Sequence, residues 1–341
     1  MKRFKKITAV LLAAVLVFSF AACSKSSSDD KTEKTAELKD ITVCLDWTPN
    51  TNHTGLYVAL SKGYYKDAGL NVSIVQPPEN GATEACSAGP AQFAIDAQDT
   101  LAAAFTSDTP MQVTAVAALI QHNTSGIISL KGQGMDRPKG LEGKTYLTWD
   151  SPIELAMMKN VVEKDGGNWD SVTKIPNTVT DEAQDVNQNH NHAIWVFYGW
   201  GGINGKVNGI DTDFFYFKDL NPTFDYYTPI LIANNDFLKS NPDEAKAFLE
   251  ATRKGYEYAV ENPDEAAQIL IDSDETKSLV GSEELVKASQ RWLSKQYIAD
   301  ASKWGYIEPS RWDGFYAWLY EEKLIAKELP AGTGYSNDYL A

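Results

Sequence analysis

Between residues 41 and 120 the apolar positions fall into short blocks of two kinds. The blocks at 41–45, 71–75, 93–96 and 113–120 are compact and rich in Val, Ile and Phe, so each is predicted as a strand. Residues 54–61, 82–88 and 99–104 space their apolar side chains as helices do. Alternation of this kind predicts an α/β fold with a mostly parallel sheet. Asp136-Arg137-Pro138-Lys139-Gly140 interrupts the pattern. A second α/β run follows through 145–148, 153–162 and 193–198; residues 228–233 bring the chain back, and the remainder reads as helical. Asn241-Pro242-Asp243 and Asn262-Pro263-Asp264 each open a helix, with Asn as the expected cap and Pro in the first turn. The expected architecture is two α/β lobes, each a mostly parallel sheet flanked by helices. Lobe 1 spans 41–128 and 230–341, lobe 2 spans 129–229, and two hinge crossings are expected near 125–131 and 226–232. Ligands of open sheets sit at the carboxyl ends of strands. That directs attention to the loops at 46–54, 96–100, 148–153 and 198–203.

The first 22 residues follow a different rule. Lys2, Arg3, Lys5 and Lys6 precede an apolar run at 7–20, which is short of the roughly 20 residues that span a bilayer. The run ends in Phe20-Ala21-Ala22-Cys23, which resembles a bacterial lipobox, with Phe20 where Leu is usual. This resemblance implies a signal peptide at 1–22, acylation of Cys23 and a flexible tether at 23–40, rich in Ser, Lys, Asp, Glu and Thr. The body would then be lipid-anchored at the outer face of the cytoplasmic membrane.

Charge narrows the partners. The chain carries a formal charge of -15, and removing the four leader bases leaves 27 basic against 46 acidic residues. Such a field repels phosphate backbones and excludes nucleic-acid binding by bulk charge. Three cysteines rule out a disulfide scaffold, and Cys44 and Cys86 read as buried thiols whose pairing stays open. Phosphate-loop, G-x-S-x-G and H-E-x-x-H patterns are missing. His190 and His192 read as parts of a solvated turn, so no metal, cofactor or catalytic residue is expected.

The chemistry concentrates in the loops at the strand ends. Asp46-Trp47-Thr48-Pro49-Asn50-Thr51-Asn52-His53-Thr54-Gly55-Leu56-Tyr57 gathers amides, a carboxylate, an imidazole and two aromatic rings. Trp149-Asp150-Ser151-Pro152 repeats the theme in the second lobe, where Ser151 with Glu154 suits a helix N-terminus. Tyr198-Gly199-Trp200-Gly201-Gly202 is a third aromatic loop. Aromatic rings interspersed with Asp and Asn favour a flat, hydrogen-bonding heterocycle. Candidate ligand-binding residues are Asp46, Trp47, Asn50, His53, Tyr57, Asp96, Asp99, Trp149, Ser151, Tyr198, Trp200, Gly201 and Tyr226. A sulfonate site would want Arg or Lys, and these loops have neither.

The first loop, continued through Val58-Ala59, resembles the opening of the thiamine-pyrimidine-precursor binding proteins of bacterial ABC transporters. Gly63-Tyr64-Tyr65-Lys66-Asp67-Ala68-Gly69-Leu70, Gly140-Leu141-Glu142-Gly143-Lys144, Tyr198-Gly199-Trp200 and Ile232-Ala233-Asn234-Asn235-Asp236-Phe237-Leu238 extend the likeness over roughly 41–329. It implies the type-2 periplasmic-binding-protein fold, a monomer holding an aminopyrimidine between its lobes, and delivery to an ABC permease with its ATPase. Several such binders carry an acid after the Trp of the Tyr-x-Trp loop, where this chain has Gly201. Asp46, Asp96, Asp99, Glu154 and Asp225 are the possible substitutes. Alternatives are a binder of riboflavin or a sulfonate, or a relative of the fungal pyridoxal-phosphate-dependent synthase of the thiamine pyrimidine. The synthase needs a cofactor Lys, a donor His and four Cys around a Phe. Aligned on Thr100-Leu101-Ala102-Ala103, those positions fall on Ile95 or Asp96, on Asp99, and on Thr223-Phe224-Asp225-Tyr226-Tyr227. The resemblance therefore implies a binding protein, not an enzyme.

Overall fold

The structure is a computed structural model that describes residues 37–340. Cys23, the expected signal peptide and the tether up to residue 36 lie outside the described residues. Ten strands follow in chain order: β1 Lys39–Cys44, β2 Leu70–Val75, β3 Phe93–Asp96, β4 Val113–Ala118, β5 Ser125–Leu130, β6 Thr145–Thr148, β7 Thr173–Pro176, β8 His192–Phe197, β9 Thr212–Tyr216 and β10 Ile230–Asn234. They form two five-stranded sheets, ordered β2-β1-β3-β10-β4 and β7-β6-β8-β5-β9. In each sheet one strand runs against the rest: β10 is antiparallel to β3 and β4, and β5 to β8 and β9. The expected two-lobed α/β fold is therefore present, with each lobe carrying one reversed strand supplied by a crossing.

That reversal fixes where the loops meet. Ile230 at the start of β10 pairs with Asp96 at the end of β3, and Ser125 at the start of β5 pairs with Phe197 at the end of β8. Both crossings thus enter their sheets beside the carboxyl ends that carry the aromatic and acidic loops.

Some boundaries differ from expectation. Residues 125–131 were expected as a crossing, but 125–130 form β5, buried on both faces of the second sheet, so the crossing is 119–124. The expected lobe boundary at 128–129 falls inside that strand. Apolar runs with no polar alternation read alike as crossing or central strand. Residues 39 and 40 belong to β1, not to the tether; their backbones continue the ladder with Leu70 and Asn71, and Asn71 Nδ2 donates to Asp40 Oδ1 at 2.7 Å. Six helices matter below: α1 Thr54–Ser61, α2 Pro152–Lys164, α3 Pro242–Glu261, α4 Pro263–Ser273, α5 Glu283–Leu293 and α6 Pro309–Glu321. Pro242 and Pro263 open α3 and α4 and Asn241 and Asn262 stand at the cap positions as expected, but their side chains make no cap hydrogen bond. Their side chains turn back to the Phe237 and Tyr258 carbonyls and close the preceding helices.

The first-lobe core is dense with aromatic side chains. Phe93 stacks on Phe248 at 4.0 Å and Tyr256 on Trp304 at 4.7 Å. Helices α1 and α3 cross almost backbone to backbone: a Cβ on Gly255 would stand 2.0 Å from the Gly55 carbonyl oxygen, and one on Gly55 would strike the Tyr256 ring. Only glycine fits either position.

Candidate functional site

The loop after β1 is anchored from below. Thr51 Oγ1 lies 2.7 Å from Ser289 Oγ, Thr54 Oγ1 donates to Gln290 Oε1 at 2.6 Å, and Tyr256 donates to the Asn52 carbonyl at 2.7 Å. His53 is fully buried. Its Nδ1 accepts from the Asn50 N–H at 3.3 Å, so Nε2 carries the proton and donates to Asp46 Oδ1 at 2.7 Å. Asn50 is equally occupied: its Oδ1 accepts from Asn52 N–H and its Nδ2 donates to the Thr48 carbonyl. His53 and Asn50 therefore shape the turn. What the turn displays is Trp47, 69% exposed, beside Asp46. Tyr57 points elsewhere; it is buried in α1, and burial pushes its hydroxyl up to about 12, helped by the charges of Asp274 and Glu275 beyond α4.

The second lobe presents its own tryptophan by another device. Glu154, buried at the first turn of α2, accepts from Tyr146 Oη, from Thr148 Oγ1 at 3.1 Å, and from the N–H groups of Trp149 at 3.1 Å and Ser151 at 3.2 Å. Asp150 sits at φ 60°, a left-handed conformation that a non-glycine residue rarely adopts. Trp149, 52% exposed, is thrown outward, its ring 5.9 Å from Trp195, which in turn lies 4.0 Å from Phe217. Ser151 belongs to this scaffold.

The third loop is a single π-helical turn, Tyr198–Gly202. Tyr198 packs between Phe214, Tyr216 and Trp292 at 4.9, 5.6 and 5.1 Å. Trp292 is on α5, so this loop is where the lobes touch; Ser289 Oγ donates to the Gly199 carbonyl, and Trp200 packs on the first-lobe core. A Cβ on Gly201 would lie 2.7 Å from Val196 within the second lobe. An acid at 201 would thus aim into that lobe's own core, and Gly201 is a packing glycine here.

Five carboxylates were possible substitutes for that acid, and their partners sort them. Glu154 is consumed by its own loop. Asp225 accepts from the Asn123 N–H at 2.8 Å and pairs with His122 and Arg311. Asp96 accepts from Thr83, Thr100 and the Ala97 N–H; burial pushes its carboxyl up, those donors oppose the push, and the Asp46 charge adds to it. Asp46 holds His53 and faces solvent. Asp99 differs: its Oδ1 is enclosed and has no hydrogen-bond partner. Burial pushes this carboxyl up to about 6, with the Asp96 charge adding and the Tyr226 hydroxyl opposing. Tyr226 stacks on Phe315 at 4.2 Å, and its hydroxyl faces both Asp99 and Asn123.

Two further polar atoms near the crossing are enclosed without a partner, Ser125 Oγ and Trp195 Nε1. Ile127 pairs with Trp195 and Ser125 with Phe197, so by strand alternation Ser125, Ile127 and Trp195 share one face of the second sheet. Sequence reasoning passed over Ser125 and Trp195, because each sits within an apolar strand and reads as core.

A family profile described as "NMT1/THI5 like" matches residues 50–266. The chain belongs to this family. Among its relatives, the formylaminopyrimidine-binding protein of Halalkalibacterium halodurans is 28% identical over 99% of each chain. The 4-amino-5-hydroxymethyl-2-methylpyrimidine phosphate synthase THI13 of Saccharomyces cerevisiae is 25% identical over 68% of this chain and 70% of its own. In three dimensions the chain is similar to the alkanesulfonate-binding protein SsuA of Xanthomonas axonopodis pv. citri, with TM-score 0.65 and 10% identity over 90% of this chain and 100% of the other. The NMT1/THI5-like chain thus has the periplasmic-binding-protein fold expected of it. Much of the 46–57 loop is scaffold: Thr51, Thr54 and Gly55 anchor α1, and Asn50 and His53 fold the turn. At the positions aligned with the synthase cysteines, Phe224, Tyr226 and Tyr227 are buried in packed aromatic surroundings.

Proposed function

We propose that this protein is the extracytoplasmic substrate-binding component of an ABC importer and takes a thiamine pyrimidine precursor, a formylaminopyrimidine or its hydroxymethyl analogue, between its lobes. The observation that carries the reading is the pair of unpartnered, enclosed polar atoms on opposite lobes, Asp99 Oδ1 as acceptor and Trp195 Nε1 as donor. Leaving such a group unpaired costs about 1–3 kcal/mol, so each favours a ligand that completes it. An aminopyrimidine has an exocyclic amine to give and ring nitrogens that accept. Trp47 and Trp149, exposed on opposite lobes, are surfaces for its flat faces, each stacked ring contributing about 1–3 kcal/mol by analogy with base–aromatic stacking. The ligand set reads as Asp46, Trp47, Asp99, Trp149, Tyr198, Trp200 and Tyr226, with Trp195 and Ser125 added. Asn50, His53, Asp96 and Ser151 support it from behind. Asp99 and residues 223–227 stand where the synthase chemistry needs His and Cys, which supports a binder rather than an enzyme. The lobes are 37–118 with 230–340, and 125–224. Cys23 supplies the lipid anchor, and a permease with its ATPase receives the ligand.

Titrating purified protein with formylaminopyrimidine, riboflavin and taurine while following tryptophan fluorescence tests this. A saturable change with the pyrimidine alone is the expected result. Saturation by riboflavin or taurine with no response to the pyrimidine would defeat the reading.

A further inference from the structure

The crossing 119–124 carries an imidazole held between two carboxylates. His122 Nδ1 lies 2.6 Å from Asp225 Oδ2 on the other crossing, and its Nε2 lies 2.8 Å from Asp300 Oδ1 beyond α5. Carboxylates only accept, so both ring nitrogens must donate, which only the imidazolium can do. Asp225 also accepts from the Asn123 N–H, and Arg311 Nε approaches its Oδ2 at 3.5 Å. The same guanidinium donates to the Gln121 carbonyl and lies 5.0 Å from the Tyr227 ring centroid. Tyr227 Oη accepts from the Glu308 N–H at 2.8 Å, and Glu308 lines one hollow of about 280 Å³ with Tyr306 and Asp300. Asp225 and Asp300 touch His122, the Arg311 charge acts on it, and Tyr227, Tyr306 and Glu308 surround that cluster.

We propose that the His122 imidazolium is a hinge clasp and a positioning residue for binding, so that raising the pH loosens the lobes and weakens ligand affinity. The Asp225 bond holds the proton on the ring, burial and the Arg311 charge oppose it, and Asp300 reinforces it, with a net rise. Neutral imidazole keeps one N–H. The bond to half-buried Asp225 persists, while Asp300, 77% exposed, turns to water at little cost. The first crossing then loses its side-chain tie at His122 to the segment after α5 and keeps only the ties of Gln121, whose N–H and side-chain amide donate to the Gln296 and Tyr306 carbonyls. In the clasped arrangement α5 seats the Tyr198–Gly202 turn through Ser289 and Trp292. A looser hinge populates that seating less, and apparent affinity falls by the lost fraction.

The weakening of binding rests on the function proposed above; the hinge motion does not. Spin labels at K246C on the first lobe and K164C on the second, both exposed positions, report the interlobe distance by double electron–electron resonance in ligand-free protein. At pH 7 the distribution should be narrow and at pH 9.5 broader, both above the Asp99 titration. In H122Q it should be broad at both. Formylaminopyrimidine affinity should drop at least threefold between those pH values in the wild type and stay level in H122Q. A wild-type distribution identical at both pH values, or a pH response retained in H122Q, overturns the clasp. Broadening without any pyrimidine binding would uphold the clasp and discard the ligand.

Discussion

The Trp47 and Trp149 loops do the same task with opposite electrostatics. Each follows a strand of the mostly parallel part of its sheet, and each pushes an indole into solvent. In the first lobe the organising group is a buried neutral imidazole, which accepts from the Asn50 N–H and donates to a solvent-facing carboxylate, Asp46. In the second the organiser is itself a carboxylate, closed off by Tyr146, Thr148 and two backbone N–H groups. On the proposed reading the second lobe would offer a ligand an aromatic face and the unpartnered donor at Trp195, and the first the unpartnered acceptor at Asp99. A shared motif, an aromatic residue beside an acid, conceals a division of labour that only the hydrogen-bond partners expose.

Breaking the second loop should have the largest effect. Glu154→Ala strands four donors at once, and a loss of at least about 3 kcal/mol in unfolding free energy is expected. Denaturant melts of the two proteins decide it; equal midpoints would mean that Glu154 does not organise the loop. Asp99→Asn should separate stability from function. The folded-state carboxyl is pushed up to about 6 from a value just below 4, so the native protein holds a proton that the unfolded chain has released between those pH values. Wild-type stability should consequently fall from pH 4 to pH 6 through this group, whereas the variant lacks that decline and melts higher at pH 7. Pyrimidine affinity should nevertheless drop more than tenfold. A variant that binds normally would remove Asp99 from the site. Trp47→Ala should weaken binding about tenfold, or about 1.4 kcal/mol, with little change in melting temperature because the indole is already exposed. Asn50→Ala should cost about 1 kcal/mol of stability through its cap, and calorimetry should show a smaller affinity loss than for Trp47.

Strand β3, helix α1 and the proline-led starts of α3 and α4 were legible because periodicity and turn chemistry agree there. The loops after β1, β6 and β8 were legible as loops for a different reason: polar and aromatic residues cluster there without a period. Roles within the loops were not. Asn50 and Asp96 look like ligand groups until the atoms they already bond are known, and no spacing encodes that Thr83 and Thr100 both reach Asp96. β5 escaped because a central strand carries no polar alternation, and Trp195 escaped with it.

The contact between Gly55 and Gly255 has a consequence for how the molecule opens. No side chain lies between the two backbones, so neither helix can shift without unmaking the other's packing. Amide protons on α1 and on the adjoining turns of α3 should then exchange with solvent together, on the slow timescale of global unfolding. The turn bearing Trp47 sits directly ahead of α1. Its indole can swing in solvent while the turn that carries it runs into a helix locked against its neighbour.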